Sequence, residues 1–213
     1  MKKELQIAKA EEYVKKLFCH DASGHDLQHL LRVRKMALLI AQQEGGNPFL
    51  IEMAALLHDV ADWKFWGEEK GAEQLIQFLS SIHTDIEDCK AILNIVQSIS
   101  FKGAKVNTRP ETIEAMIVQD SDRLDAIGAI GIARAFAFGG VHGRMMYDFE
   151  SKPQMHQSFE EYKSSNSNTF NHFHEKLLLL KNRMNTATAK SLAEERHLFM
   201  EEFLLRFFNE CES

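Results

Sequence analysis

The chain has 213 residues, of which 45% are hydrophobic and 26% are charged, and its formal net charge is −6. This hydrophobic share supplies a core without disulfides, and the negative charge argues against binding nucleic acid through a basic surface. No stretch approaches the ~18 apolar residues of a membrane span, and scattered charges interrupt the N-terminal MKKELQIAKAEEYVKKLF where a signal peptide has an apolar block. The three cysteines are far apart, as expected for thiols in a reducing compartment. We therefore expect a cytoplasmic protein.

Apolar residues recur at helical spacing along almost the whole chain, which contains only three prolines. Asn47 followed by Pro48 is typical of a helix start. Thr84 with Glu87, and Thr108 with Glu111, form two capping-box patterns. No alternating strand pattern occurs, so the sequence predicts an all-α fold in a single domain, 1–213. The predicted helices are 5–18, 27–41, 48–59, 68–81, 84–99, 110–128, 127–138, 170–184 and 188–210.

Two regions near the C-terminus differ in character. Residues 141–169 are polar and rich in Ser, Asn and His, which predicts a long loop or a lid over a substrate, with a mobile surface loop as the alternative. In the last helix the apolar residues follow helical spacing, which favours a core-facing stripe over a cofactor surface. That stripe comprises Leu192, Phe199, Phe203, Leu204 and Phe207.

Four segments contain residues suited to catalysis: GHDLQHLLRV, AALLHDVAD, SISFKG and QDSDRLDAIGAIGIARAF. His58 and Asp59 end a strongly apolar run, and a buried charge there requires a partner or a ligand. His29 lies on an earlier predicted helix and Asp122 near the acidic end of a later one. Two imidazoles and two carboxylates suit a divalent transition metal or magnesium. Each motif by itself is more typical of a surface pair, a core histidine or a salt bridge.

The order of His29, then His58-Asp59, then Asp122 on successive helices resembles the HD superfamily of metal-dependent phosphohydrolases. GHDLQHLLRV, ALLHDVADWK and DSDRLDAIGAIGIARAF are similar to a small bacterial branch that includes deoxynucleoside-triphosphate pyrophosphohydrolases. The resemblance covers essentially the whole chain and implies that these four residues are the metal ligands. Asp122 is preferred because related proteins place the ligand as the second Asp of a D-x-D, and Asp120 is the alternative fourth ligand.

The resemblance also bears on the number and kind of metal ions. HD proteins with two metals, including di-iron oxygenases, need extra histidines between the His-Asp pair and the last Asp. His83 is the only histidine in that interval, and it is more typical of a structural residue. We therefore expect one divalent ion, with manganese or magnesium favoured and nickel, cobalt, zinc or iron as alternatives.

Asp62 follows Asp59 by three residues and matches the acidic position of an H-D-x-x-E/D pattern. It is the candidate to position or deprotonate the attacking water, and pairing with Lys64 is its alternative role. The candidate substrate-binding residues are polar groups within or beside the motifs. The cations among them are equally typical of solvated charges, and Asp26 is equally typical of a helix cap. The candidates are Lys64, Lys102, Arg123, His25 and Asp26.

The leading functional hypothesis is hydrolysis of a small anionic nucleotide, with a nucleoside or deoxynucleoside triphosphate giving monophosphate and pyrophosphate. A nucleoside monophosphatase and a guanosine tetra- or pentaphosphate hydrolase would use the same centre. A non-catalytic, metal-stabilised sensing module is the alternative from another class. No nucleic-acid or membrane partner is expected, and a homodimer is left open.

Overall fold

The computed structural model describes residues 1–19, 24, 26–61, 68–99, 110–155, 160–161 and 167–212. These residues form helices and connecting segments with no β-strand among them, which confirms the all-α prediction. The main helices are α1 (Lys3–Leu17), α2 (Leu27–Glu44), α3 (Pro48–Leu57), α4 (Glu68–Ser81), α5 (Ile86–Ile99), α6 (Ile113–Asp125), α7 (Gly128–Val141), α8 (Thr169–Glu175) and α9 (Ala187–Glu212). Two 3-10 helices occupy His58–Ala61 and Leu177–Arg183.

The start of α5 differs from the capping-box prediction. Thr84 does not cap this helix; instead Asp85 Oδ1 accepts a hydrogen bond of 3.0 Å from Glu87 N. The backbone N–H of Thr84 donates to Leu79 O at 3.1 Å, and His83 N–H donates to Ser80 O at 3.0 Å. These two bonds, with His83 at φ 53°, close the C-terminus of α4. Thr84 therefore belongs to the end of α4, and the cap falls one residue later.

The start of α6 also lies later than the sequence pattern predicts. Thr108 is outside the described residues, and α6 begins at Ile113. Thr112 Oγ1 accepts a hydrogen bond of 3.2 Å from Ala115 N, so Thr112 has the capping role. The capping hydroxyl thus belongs to the next threonine along the chain.

The predicted helix 170–184 is divided in two. The α-helix ends at Glu175, Lys176 adopts φ −139° and ψ −61°, and the chain continues as the 3-10 helix Leu177–Arg183. Leu177 and Leu180 are 4% and 1% exposed, and residues three apart share one face of a helix with three residues per turn. The tighter helix therefore buries both leucines on the same side.

The chain divides into two compact units. The first contains the described residues of Met1–Asp21, His25–Ser100 and Thr108–Ser121. The second contains the described residues of Ala22–Gly24, Phe101–Asn107 and Asp122–Ser213. A single domain over 1–213 stays a prediction.

Helix α3 lies at the centre of the first unit, where it contacts α1, α2 and α5. Its residues from Met53 to Leu57, which are all apolar, are all 0% exposed. Arg34 on α2 donates to Glu52 Oε1 on α3 and, at 2.7 Å, to Glu11 Oε2 on α1. This ion-pair network links the three helices whose packing sets the position of the His-Asp motif.

In the second unit α9 packs against α7 and the 3-10 helix Leu177–Arg183. The prediction of its buried stripe is wrong at Phe199, which is 49% exposed, and right at Leu204, which is 5% exposed. The buried residues of α9 are Ala189, Ala193, His197, Met200 and Leu204. Phe203 and Phe207 are half-buried and pack on Phe136 at centroid distances of 6.0 and 5.7 Å.

Part of the polar segment 141–169 is held against α8. Backbone N–H groups of Thr169 and Phe170 donate to the carbonyls of Met145 and Met146, both at 2.9 Å. Residues 156–159 and 162–166 lie outside the described residues, so a lid over a substrate stays a prediction. No single helix in the described part of the chain is long and apolar enough to cross a membrane.

Candidate metal centre

Helix α2 and the 3-10 helix after α3 bring His29, His58 and Asp59 together in the first unit. Asp26 caps α2, because its Oδ1 accepts a hydrogen bond of 2.8 Å from His29 N, and His29 therefore lies in the first turn. His58 and Asp59 are the first two residues of the 3-10 helix that directly follows α3. The change from α-helix to 3-10 helix at this point lets two consecutive side chains approach one imidazole.

The three side chains meet through atoms suited to coordinate one ion. Nε2 of His29 lies 3.2 Å from Nε2 of His58. Asp59 lies 3.4 Å from both rings, through Oδ2 to His29 and through Oδ1 to His58. Among the described residues these form the one group of three or more such side chains able to hold a metal ion.

The separations fit a bound divalent cation. With metal–ligand bonds of about 2.1 Å, neighbouring ligand atoms lie about 3.0 Å apart in octahedral and about 3.4 Å apart in tetrahedral coordination. The observed distances of 3.2 and 3.4 Å lie within this interval. Two imidazole nitrogens and a carboxylate suit manganese, zinc, iron and their neighbours.

A backbone contact orients one of the imidazoles. His58 Nδ1 lies 2.9 Å from the carbonyl oxygen of Ala55, one turn earlier. A carbonyl only accepts, so Nδ1 carries the proton and Nε2 is left with a lone pair facing the group. The end of α3 thus favours the tautomer of His58 that is suited to bind a metal.

The group is buried among apolar side chains. His29, His58 and Asp59 are 0%, 6% and 3% exposed, while Leu30, Leu57 and Val60 beside them in sequence are 0% exposed. Removing a carboxylate from water is unfavourable unless a charge compensates it. A divalent cation held by these three side chains would supply that compensation.

The predicted fourth ligand is not part of this three-residue group. Asp122 is half-buried on α6, and the boundary between the units falls between Ser121 and Asp122. The alternative, Asp120, is 0% exposed and belongs to the first unit. Both assignments stay predictions.

The other predicted site residues divide into two sets. Four of them lie outside the described residues: Asp62, Lys64, Lys102 and His25. Arg123 is 6% exposed, and its Nη1 donates to Arg183 O within the second unit. Asp26 has the capping role that the sequence left as its alternative. The catalytic role of Asp62 and binding of substrate by the other five residues stay predictions.

Two motif residues that sequence reasoning did not single out make structural contacts. Gln119 is 0% exposed, and its Nε2 donates at 3.0 Å to Ser98 O, which joins α6 to the end of α5. Arg134 on α7 pairs with Asp125 at 3.0 Å and donates to Gly24 O at 2.7 Å. The only sequence signal for either was a polar residue inside an apolar run.

Comparison with known proteins identifies the family. The HD domain model matches residues 26–127. The chain is 36% identical to YpgQ of Bacillus subtilis over 206 residues, covering 96% of this chain and 93% of YpgQ.

Several solved structures are similar over nearly the full length. A Lactobacillus plantarum protein superposes with a TM-score of 0.91 at 39% identity, covering 98% of both chains. An HD-superfamily hydrolase from Bacillus thuringiensis is 44% identical, with a TM-score of 0.75 and coverage of 100% of both chains. B. subtilis YpgQ in complex with ADP is 33% identical, with a TM-score of 0.75 and coverage of 96% of this chain and 97% of YpgQ. On this evidence the chain belongs to the HD-domain superfamily, and its His-His-Asp group lies within the matched segment.

Proposed function

We propose that this protein is a metal-dependent phosphohydrolase acting on nucleotides, and that it converts a nucleoside or deoxynucleoside triphosphate to monophosphate and pyrophosphate. The observation that carries the proposal is the buried triangle of His29, His58 and Asp59, whose facing atoms are 3.2 to 3.4 Å apart. The similarity to an HD-superfamily hydrolase supports hydrolysis, and the ADP bound to YpgQ supports a nucleotide as the substrate class.

A divalent ion would contribute Lewis acidity, which makes water a stronger acid and draws charge from a phosphoryl oxygen. The protein holds the three ligands on helix ends, so little reorganisation accompanies binding of the ion. The carbonyl of Ala55 favours the tautomer of His58 whose Nε2 lone pair is available to an ion. The apolar surroundings exclude bulk water, and electrostatic interactions there are stronger than at the surface.

The proposed reaction joins a water oxygen to the α-phosphorus. The bond from that phosphorus to the bridging oxygen of the β-phosphate breaks, and pyrophosphate leaves with the bonding electron pair. We assign Asp62 to accept the proton of the water, because a carboxylate three residues after Asp59 is suited to act as a general base. Asp122 completes the ligand set in this proposal, with Asp120 as the alternative.

Recognition of a triphosphate requires positive charge, and the chain has a net charge of −6. A bound cation reverses the local field even in an acidic protein. We assign Lys64, Lys102 and Arg123 to the phosphate oxygens, because these cations lie in or beside the ligand motifs. His25 and Asp26 are also assigned to the substrate, because they lie in the same motif as His29.

A screen of nucleotides with added metal tests the proposal. Purified protein with manganese, magnesium or cobalt is offered nucleoside mono-, di- and triphosphates, and chromatography resolves the products. The blank is the double variant His58→Ala, Asp59→Ala. The matched control is His83→Asn, which changes an exposed histidine at φ 53°, a conformation that asparagine tolerates.

The products discriminate among the functional classes. Pyrophosphate that is formed by wild type and His83→Asn, but not by the double variant, is the expected result. Orthophosphate from monophosphates would replace the proposed substrate with that of a monophosphatase. Absence of turnover on every nucleotide, with one ion bound per chain, would contradict the enzyme and favour a sensing module.

A further inference from the structure

Two contacts between side chains define how α2 and α3 are aligned in the first unit. Nε2 of His29 lies 3.2 Å from Nε2 of His58. Nε of Arg34, five residues further along α2, donates at 2.7 Å to Oε1 of Glu52, six residues before His58. Because the second contact lies later on α2 and earlier on α3, the two helices run antiparallel past each other. The ion pair is about 7.5 to 9 Å from the imidazole pair along the helix axes, at about 1.5 Å per residue.

The guanidinium of Arg34 uses three of its nitrogens in this network. Nε and Nη2 both donate to Oε1 of Glu52, and Nη1 donates at 2.7 Å to Oε2 of Glu11 on α1. The side chains of Arg34 and Glu52 are 26% and 15% exposed, so solvent screens their attraction less than it does at the surface. A planar guanidinium satisfies both carboxylates only in one orientation, and the network is therefore directional.

The remaining surface of α3 supplies little directional information. Glu52 is the only charged residue in its sequence, PFLIEMAALL, and seven of the ten residues are buried apolar ones. Apolar burial is non-directional, so by itself it distinguishes poorly between neighbouring rotations and shifts of this helix. Packed helices have alternative arrangements one turn, about 5.4 Å, apart. The ion pair excludes such alternatives, because they would leave a charge without its partner and partly removed from water.

We propose that Arg34 and Glu52 are positioning residues for the metal centre, which hold α2 and α3 in the register that brings its two imidazoles together. The inference deepens the proposed function, because it rests on His29 and His58 serving as metal ligands. Tight binding requires ligand atoms within about 0.5 Å of the productive geometry. A shift of α2 by one helical turn exceeds this tolerance about tenfold.

A pair of apolar replacements separates positioning from stability. The double variant Arg34→Met, Glu52→Met removes both charges together. Replacement of a mostly buried ion pair by apolar side chains of similar volume is often neutral or stabilising. Glu11 has a side chain that is 45% exposed, so water solvates it in the double variant. We therefore expect this variant to unfold at the same or a higher urea concentration than wild type, although the directional contact is lost.

Two measurements follow the position of the imidazoles. The first is the Kd for Mn²⁺, obtained by calorimetry. The second is the nuclear Overhauser effect between ring protons of His29 and His58 in metal-free protein, which is observed only between protons that lie close together. The matched control is Asp88→Asn, which breaks another ion pair between helices of the same unit. Lys3 on α1 and Asp88 on α5 form that pair, with Nζ and Oδ2 3.2 Å apart.

We expect the double variant to raise the Kd for Mn²⁺ about tenfold or more, as residues that orient metal ligands do. It should also weaken the Overhauser effect between the two rings without lowering the urea midpoint. Asp88→Asn should change the Kd less than twofold and retain the Overhauser effect. A wild-type Kd and Overhauser effect in the double variant, or an equal loss of affinity in Asp88→Asn, would overturn the proposal.

Failure of the proposed function is recognisable separately. Absence of turnover leaves both measurements intact. If wild type binds no Mn²⁺, the metal centre fails, and the Overhauser effect still shows whether the ion pair aligns the imidazoles. If the double variant does not fold, Arg34→Gln supplies the comparison, because it removes the charge and shortens the side chain. The same changes are expected in Arg34→Gln, and wild-type values there would contradict the positioning role.

Discussion

Nε2 of His29 and Nε2 of His58 lie 3.2 Å apart in the interior of the first unit, although 29 positions separate them in the chain. Because His58 Nδ1 faces the carbonyl of Ala55, the lone pair of its Nε2 points toward His29. Asp59 adds a carboxylate oxygen at 3.4 Å from each ring. An arrangement of this kind is stabilised by a shared cation, and its thermodynamic consequences are testable.

Binding of Mn²⁺ is expected to stabilise the native protein. An ion that binds only the folded state at 100 times its Kd raises the free energy of unfolding by about 2.7 kcal/mol. Thermal unfolding with Mn²⁺ and with excess chelator measures the difference, which should vanish in His58→Ala. His83→Asn should retain it, and a metal-dependent Tm in His58→Ala would show that the ion binds elsewhere.

The identity of the fourth ligand is a separate prediction. Asp122→Asn should weaken Mn²⁺ binding at least about 100-fold, since loss of a direct ligand exceeds the effect of an outer partner. Asp120→Asn should retain more of the affinity but lower the free energy of unfolding, because Asp120 is 0% exposed. Calorimetry and urea unfolding distinguish the two. The reverse pattern of affinities would assign the ligand to Asp120.

Two glycines of α7 are expected to respond in opposite directions. A Cβ on Gly131 would lie 2.2 Å from Ala126 O and 2.4 Å from Ala126 C, both backbone atoms. Gly131→Ala should therefore lower the free energy of unfolding by about 2–4 kcal/mol. Nothing lies within 4 Å of a Cβ on Gly140, so Gly140→Ala should raise it by about 0.5–1 kcal/mol.

The comparison of these two variants has a built-in control, because both replace glycine by alanine in one helix. Urea unfolding of the metal-free protein measures each change. A neutral or stabilising Gly131→Ala would mean that α7 can move away from Ala126. A strongly destabilising Gly140→Ala would contradict the open space around that residue.

His174 should make stability depend on pH. Burial lowers the pKa of this imidazole from its ordinary value of 6.5, partly opposed by the charge of Glu175. At a pH between the lowered pKa of the folded state and the ordinary pKa of the unfolded chain, the unfolded chain binds more protons. The contribution of His174 to the free energy of unfolding is therefore complete above about pH 6.5 and declines as pH falls. Urea unfolding with chelator at several pH values measures this dependence. The slope of the free energy of unfolding against pH should be shallower for His174→Gln than for wild type. Identical slopes would show that His174 does not contribute.

Much of the fold was predictable because helices are specified by local pattern. Apolar spacing predicted α1 to α7 closely, and the Asn47-Pro48 start of α3 is observed, with Asn47 Oδ1 accepting from Phe49 N at 3.1 Å. His58 and Asp59 stood out because a charged pair ended an apolar run. Those signals depend on residues within a few positions of one another.

The remaining features depend on contacts between distant residues. Thr84 fits a helix cap by its sequence pattern, but its backbone N–H donates to Leu79 O and belongs to the C-terminal turn of α4. Phe199 fits an apolar stripe by spacing, yet its neighbours His197 and Met200 are buried instead, because the packing partner determines which face of α9 is covered.

The sequence by itself determined the helical class, the HD-type motif order and the residue types of the candidate metal centre. Tertiary structure alone decided that three of these side chains meet within 3.4 Å and that Arg134 contacts Gly24 across 110 residues. The physical reason is that periodicity and capping act over one or two helical turns. Convergence of ligands and closure of long loops depend on how complete helices pack.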